Sequence, residues 1–98
     1  MNNQVIKRIR EFCELSSLLN AETNEFITED TANVEGPSLT KKFSEWNIAT
    51  KEDWDKKCTD EFTWLVENKR VVLNNIKHVE KEGWAVSCKT IKEVLKQL

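Results

Sequence analysis

Between Thr50 and Gly83 the apolar residues Trp54, Cys58, Phe62, Leu65, Val72, Ile76 and Val79 recur at steps of four, four, three, seven, four and three. That is the period of one face of an α-helix. Thr50 followed by Asp53 approximates a capping box, with Asp standing where Glu is usual, and Gly83 supplies a terminator. The spacing predicts one continuous helix over about residues 51 to 82, ~46 Å long.

This helix is apolar on more than one side. Counted at about 100° per residue from Trp54, the main stripe spans roughly −20° to +80°, Trp64 and Val71 fall near −80° to −100°, and Val66 and Leu73 near +100° to +120°. A helix apolar over so wide an arc must be covered from several directions, by its own chain or by another molecule.

The rest of the chain reads as its cover. Val5, Ile6, Ile9, Phe12, Cys13 and Leu19 mark a first helix at about 3 to 19. Ser38 can cap a second, 38 to 47, carrying Leu39, Phe43 and Trp46 and ending at Asn47. Ser87 or Thr90 can cap a last, 88 to 97, with Ile91, Val94, Leu95 and Leu98 on its apolar side. Residues 20 to 37 form a long acidic connection, with Glu22, Glu25, Glu29, Asp30 and Glu35 and no basic residue, and its length implies either a functional loop or a hidden short helix or strand. With two glycines and one proline in 98 residues, helix breakers are scarce, and the length suits one domain, 1 to 98. The expected class is all-α, a small four-helix arrangement. The alternative is α+β, with a C-terminal hairpin at 76 to 87 around Glu80-Lys81-Glu82-Gly83.

Composition excludes several kinds of function. There is no glycine-rich phosphate cradle, no Cys-x-x-Cys, no His-Glu-x-x-His and no calcium loop, so no cofactor, no metal and no catalytic residue is assigned and an enzyme is not expected. His78, the single histidine, falls off the main stripe and is expected in solvent. Three cysteines, an odd number, suit reduced thiols better than a disulfide framework. Cys13 and Cys58 lie on apolar stripes, and Cys88 falls near the start of the last helix, where the dipole can lower a thiol pKa. No apolar run reaches the ~20 residues of a membrane span and the N-terminus lacks the apolar core of a signal peptide, which points to the cytoplasm and to no membrane insertion.

What is left is recognition. The leading expectation is a non-enzymatic protein-binding module, an inhibitor, adaptor or immunity-type protein that occludes a partner's surface. Four tryptophans exceed what one small core usually needs, and tryptophan is enriched at interface hot spots. The candidate contact residues are Trp64 and Val71 on the helix flank, Trp46, and the acidic Glu25, Glu29 and Asp30, which would meet a basic surface on a partner protein. One alternative is a homodimer packed through the long helix. Another is a small nucleic-acid binder using Arg70, Lys77 and Lys81, against which the net charge of −2 and the dispersed basic residues argue.

Overall fold

The first helix, α1 (Asn3–Ser16), buries Val5, Ile6, Ile9 and Cys13 along one face in a computed structural model that describes residues 3–20, 22–27, 40–41 and 43–98. The chain then makes two short antiparallel strands, β1 (Leu19–Asn20) and β2 (Glu25–Phe26), pairing Leu19 with Phe26 and Asn20 with Glu25. The turn between them is organised by Asn20, whose Oδ1 accepts from the backbone of Glu22 at 2.9 Å and Thr23 at 3.3 Å, and by Asn24 at φ 59°. Asn tolerates that left-handed conformation because its short side chain bonds locally.

A 3-10 turn (Phe43–Trp46) leads into α2 (Lys51–Glu67), α3 (Lys69–Val79), a single π turn (Glu80–Trp84) and α4 (Ala85–Gln97). The chain is therefore mostly helical, but its helices are not the four expected. The second expected helix, 38 to 47, is a 3-10 turn over its described C-terminal part, while residues 38, 39 and 42 lie outside the described residues. The 51 to 82 helix is two helices, broken at Asn68 (φ −114°, ψ 28°). A small sheet of the kind an α+β fold contains is present, but at 19 to 26, at the start of the acidic segment expected to be a functional loop or to hide a short helix or strand; residues 76 to 87 are helical rather than a hairpin.

The break shortens the molecule. A straight helix of ~46 Å would outrun a molecule whose longest extent is 35 Å. Folding at Asn68 instead lays both α2 and α3 against α1. Asn68 suits the position, since its side-chain amide donates to the Trp64 carbonyl at 2.8 Å and so offers the backbone an alternative partner. That bond does not break a helix by itself, because Asn75 donates to Val71 O at 2.8 Å inside an uninterrupted α3. Packing decides where the chain bends.

The ends of the expected long helix agree with the sequence. Thr50 Oγ1 accepts from Asp53 N at 3.1 Å and Asp53 Oδ2 accepts from Thr50 N at 3.3 Å, completing the capping box. Gly83 sits at φ 107°, a region costly for any residue with a Cβ. The following helix starts at Ala85 with no side-chain cap, so neither Ser87 nor Thr90 caps it.

Two apolar clusters result. The larger joins α1, α2, α3 and α4 through Ile9, Cys13, Leu65, Val72, Ile76, Val79, Trp84, Cys88, Ile91 and Leu95. Full burial of each large aliphatic here contributes about 1.5–3 kcal/mol. The smaller sets Trp46 and Ile48 against Leu15 and Leu18, with Phe26, Phe43, Trp54 and Cys58 at its edge. No helix among the described residues is long and apolar enough to cross a membrane.

Candidate functional site

On α2, Cys58, Phe62 and Val66 follow one another at i, i+4, i+8, so a single flank of the helix presents a ridge of them. Phe12 of α1 meets this ridge, its ring tilted 50° against Phe62 with centroids 5.3 Å apart. Together with Thr59 and Thr63 these residues line an open, mainly apolar groove between α1 and α2. Phe12, Phe62 and Val66 are only partly buried, packing on the core with one side and leaving the other uncovered. Burial, assisted by the charges of Asp55 and Glu61, pushes the Cys58 thiol up to about 11. At neutral pH it is therefore a thiol with little nucleophilic character, and it contributes apolar surface to the groove.

The opposite flank of α2 is satisfied from within. The Arg8 guanidinium lies over the Trp64 ring at 4.4 Å from its centroid, and its Nη2 pairs with Glu61 Oε2 at 3.1 Å. Trp64 and Val71 are half-buried against the main core. Trp46 is only 2% exposed, in the smaller cluster under the Lys41 ammonium. Trp84 is buried and Trp54 donates from Nε1 to the Leu15 carbonyl at 2.8 Å. The tryptophans that suggested an interface are thus used inside the fold. Glu25 stands exposed on β2, while Glu29 and Asp30 lie outside the described residues.

Exposed acids do flank the groove's own helix: Glu52, Asp53, Asp55, Asp60 and Glu67 on α2, against exposed Lys51 and Lys56. A second, polar cleft is lined by Lys7, Arg10, Glu11, Thr40, Lys41 and Glu45. Its charges are largely matched: Lys41 and Lys7 approach Glu11 at 3.8 and 3.9 Å, and Arg10 is held by Glu82. Beneath it the fully buried Glu14 carboxylate accepts from the Thr40 backbone N–H, from Thr40 Oγ1 at 2.6 Å and from Lys41 N at 3.2 Å. That carboxylate pins the Thr40-Lys41 turn onto α1.

His78 is half-buried on α3 rather than in open solvent. No group of three or more potential metal ligands occurs among the described residues. Arg70, Lys77 and Lys81 are exposed. Cys88 is fully buried on the first turn of α4, with its Sγ 4.0 Å from that of Cys13.

Phe12, Cys58 and Phe62 were read from the sequence as core, and Val66 as part of a second flank. The signal for the groove was that flank: a helix with Val66 and Leu73 displaced from its main stripe needs cover on a side that α1 only partly reaches. Comparison with family models, with curated proteins and with solved structures returns no match.

Proposed function

We propose that this chain is a non-enzymatic protein-binding module that takes a helical segment of a partner protein into the groove between α1 and α2. The observation that carries the reading is the uncovered ridge of Cys58, Phe62 and Val66 facing Phe12. Cys58 and Val66 stand eight positions apart on α2, a run of ~12 Å. That accommodates two turns of an amphipathic helix, the usual ligand of a groove of this shape. Asp55, whose charge reaches Cys58 in the groove, favours a partner whose apolar stripe is bordered by Lys or Arg, with complementary charge speeding encounter. Trp64, Val71 and Trp46 play no contact role in this reading. Glu25 supplements the acidic surface.

The test uses exposed positions that leave the core intact. Thr59→Arg and Thr63→Arg place bulk and positive charge at the groove, and Val86→Arg, on the far helix α4, is the control. Capture from the source lysate should yield a partner with a basic amphipathic helix that is lost with either groove variant and kept with the control. Retention by all three would overturn the groove assignment. If instead the chain is a stable dimer by light scattering and Thr63→Arg makes it monomeric, the homodimer reading replaces this one.

A further inference from the structure

Two of the three thiols meet in the core although 75 positions separate them in the chain. Cys13 follows Ile9 by one helical turn on the buried face of α1, and Cys88 lies on the first turn of α4, just beyond the Gly83 break. Both are fully buried, and their Sγ atoms are 4.0 Å apart. We propose that Cys13 and Cys88 form a reversible disulfide lock, driven by a hydroperoxide, that ties the N-terminal helix to the C-terminal one.

Several features favour this over a passive pair of small core residues. The sulfurs need to approach by about 2 Å to reach bonding distance, a shift within the reach of small rotations at two helix ends. The product is neutral, and so suits an apolar site better than a bis-thiolate metal complex, which would bury net charge. The π turn between α3 and α4 is clasped from both sides, by Arg10 on Glu82 and by Lys92 on Glu80 at 2.6 Å, which makes those ion pairs a latch on access to the thiols. The pair is also asymmetric. The hydrogen bond the two sulfurs share, in which either can donate, raises the pKa of Cys13, burial adding to the rise, and lowers that of Cys88, which burial opposes. Cys88 is therefore the thiol that ionises first.

The chemistry balances without a further reagent. The Cys88 thiolate attacks one oxygen of hydrogen peroxide, the O–O bond breaks, and hydroxide leaves and takes a proton to become water. The Cys13 sulfur then attacks the sulfenic sulfur of Cys88 and the S–O bond breaks. The sulfenic hydroxyl departs as water with the proton that Cys13 loses. Two thiols lose two electrons in total, and one peroxide becomes two waters. An added dithiol reverses the link by exchange.

The experiment oxidises the full chain and a Cys58→Ser chain with hydrogen peroxide, at temperatures and low urea concentrations that permit local opening. Peptide mapping should find a Cys13–Cys88 linkage, with titratable thiols falling by two in both chains and restored by dithiothreitol. The melting temperature of the oxidised Cys58→Ser chain should rise by at least about 10 °C, because the bond closes a long loop of the unfolded chain. Linkage through Cys58 alone, over-oxidation at Cys13 or Cys88 without a bond, or full alkylation of both after peroxide and denaturation would each overturn the proposal. So would a bond that forms but lowers the melting temperature.

Discussion

Arg10 of α1 holds Glu82 of the π turn by two parallel hydrogen bonds, Nε to Oε1 at 2.5 Å and Nη2 to Oε2 at 2.8 Å. The pair closes a span of 72 positions and fixes the π turn against the first helix. Hydrogen bonding to Arg10 holds the Glu82 carboxyl below its ordinary range, with burial opposing. A carboxyl whose pKa is lower in the folded chain stabilises it above the unfolded value, and that contribution is lost as pH falls through the carboxylate range. Both side chains are partly open to solvent, which limits the effect to about 1 kcal/mol or less. Urea titrations of wild type and Glu82→Gln should differ by that amount at pH 7 and converge by about pH 3. A gap that stays constant with pH would show that Glu82 contributes by packing instead.

Glu14 offers a stronger case, because it is fully buried and its carboxylate accepts from the Thr40 N–H, the Thr40 hydroxyl and the Lys41 N–H. Glu14→Gln keeps the volume but turns one acceptor into a donor facing donors. The expected loss is about 1.5–3 kcal/mol, the range for charge-assisted bonds and the unpaired groups their removal leaves. Equilibrium unfolding measures it, and hydrogen exchange should find faster exchange at the amides of Thr40 and Lys41.

Gly83 tests the boundary between α3 and α4. Its φ of 107° is open to glycine and strained for alanine, so Gly83→Ala should cost about 1–2 kcal/mol even though alanine is the better helix former. A stabilised variant would mean that the chain can continue as one straight helix through residue 83.

Helical period and end signals were legible in the sequence because they are local. The stripe from Trp54 to Val79, the Thr50–Asp53 box and the Gly83 terminator depend on residues a few positions apart, and the structure contains each. The break at Asn68 was not legible. Asn75 makes the same side-chain bond without breaking its helix, so neither the residue type nor its local bond marks the break. The strands at 19 to 26 hold two residues each, too short for a period of two to register. The surroundings of the candidate site were equally hidden from the sequence. Trp64 lay on an uncovered flank by helical arithmetic, but Arg8, 56 positions earlier, stacks on it. Which flank stays open depends on where α1 crosses α2, and no spacing within either helix encodes that.

The tryptophans give a discriminating comparison. Trp54 Nε1 donates to the Leu15 carbonyl at 2.8 Å, whereas Trp46 Nε1 is buried and finds no acceptor among the described residues. Substituting phenylalanine leaves a gap at either place, the larger one at the more buried Trp46, so a greater loss at Trp54 would report on the indole N–H. At position 54 the change removes a hydrogen bond but strands no partner, since Leu18 N also donates to Leu15 O at 3.2 Å; the hydrogen-bond loss is about 1 kcal/mol. At position 46 it removes an unsatisfied buried donor, which offsets part of the lost packing. Trp54→Phe should therefore destabilise the chain at least as much as Trp46→Phe, its hydrogen-bond loss of about 1 kcal/mol offsetting the greater burial of Trp46. The reverse order in urea unfolding would mean that burial alone ranks these side chains and that the Trp54 bond contributes nothing net.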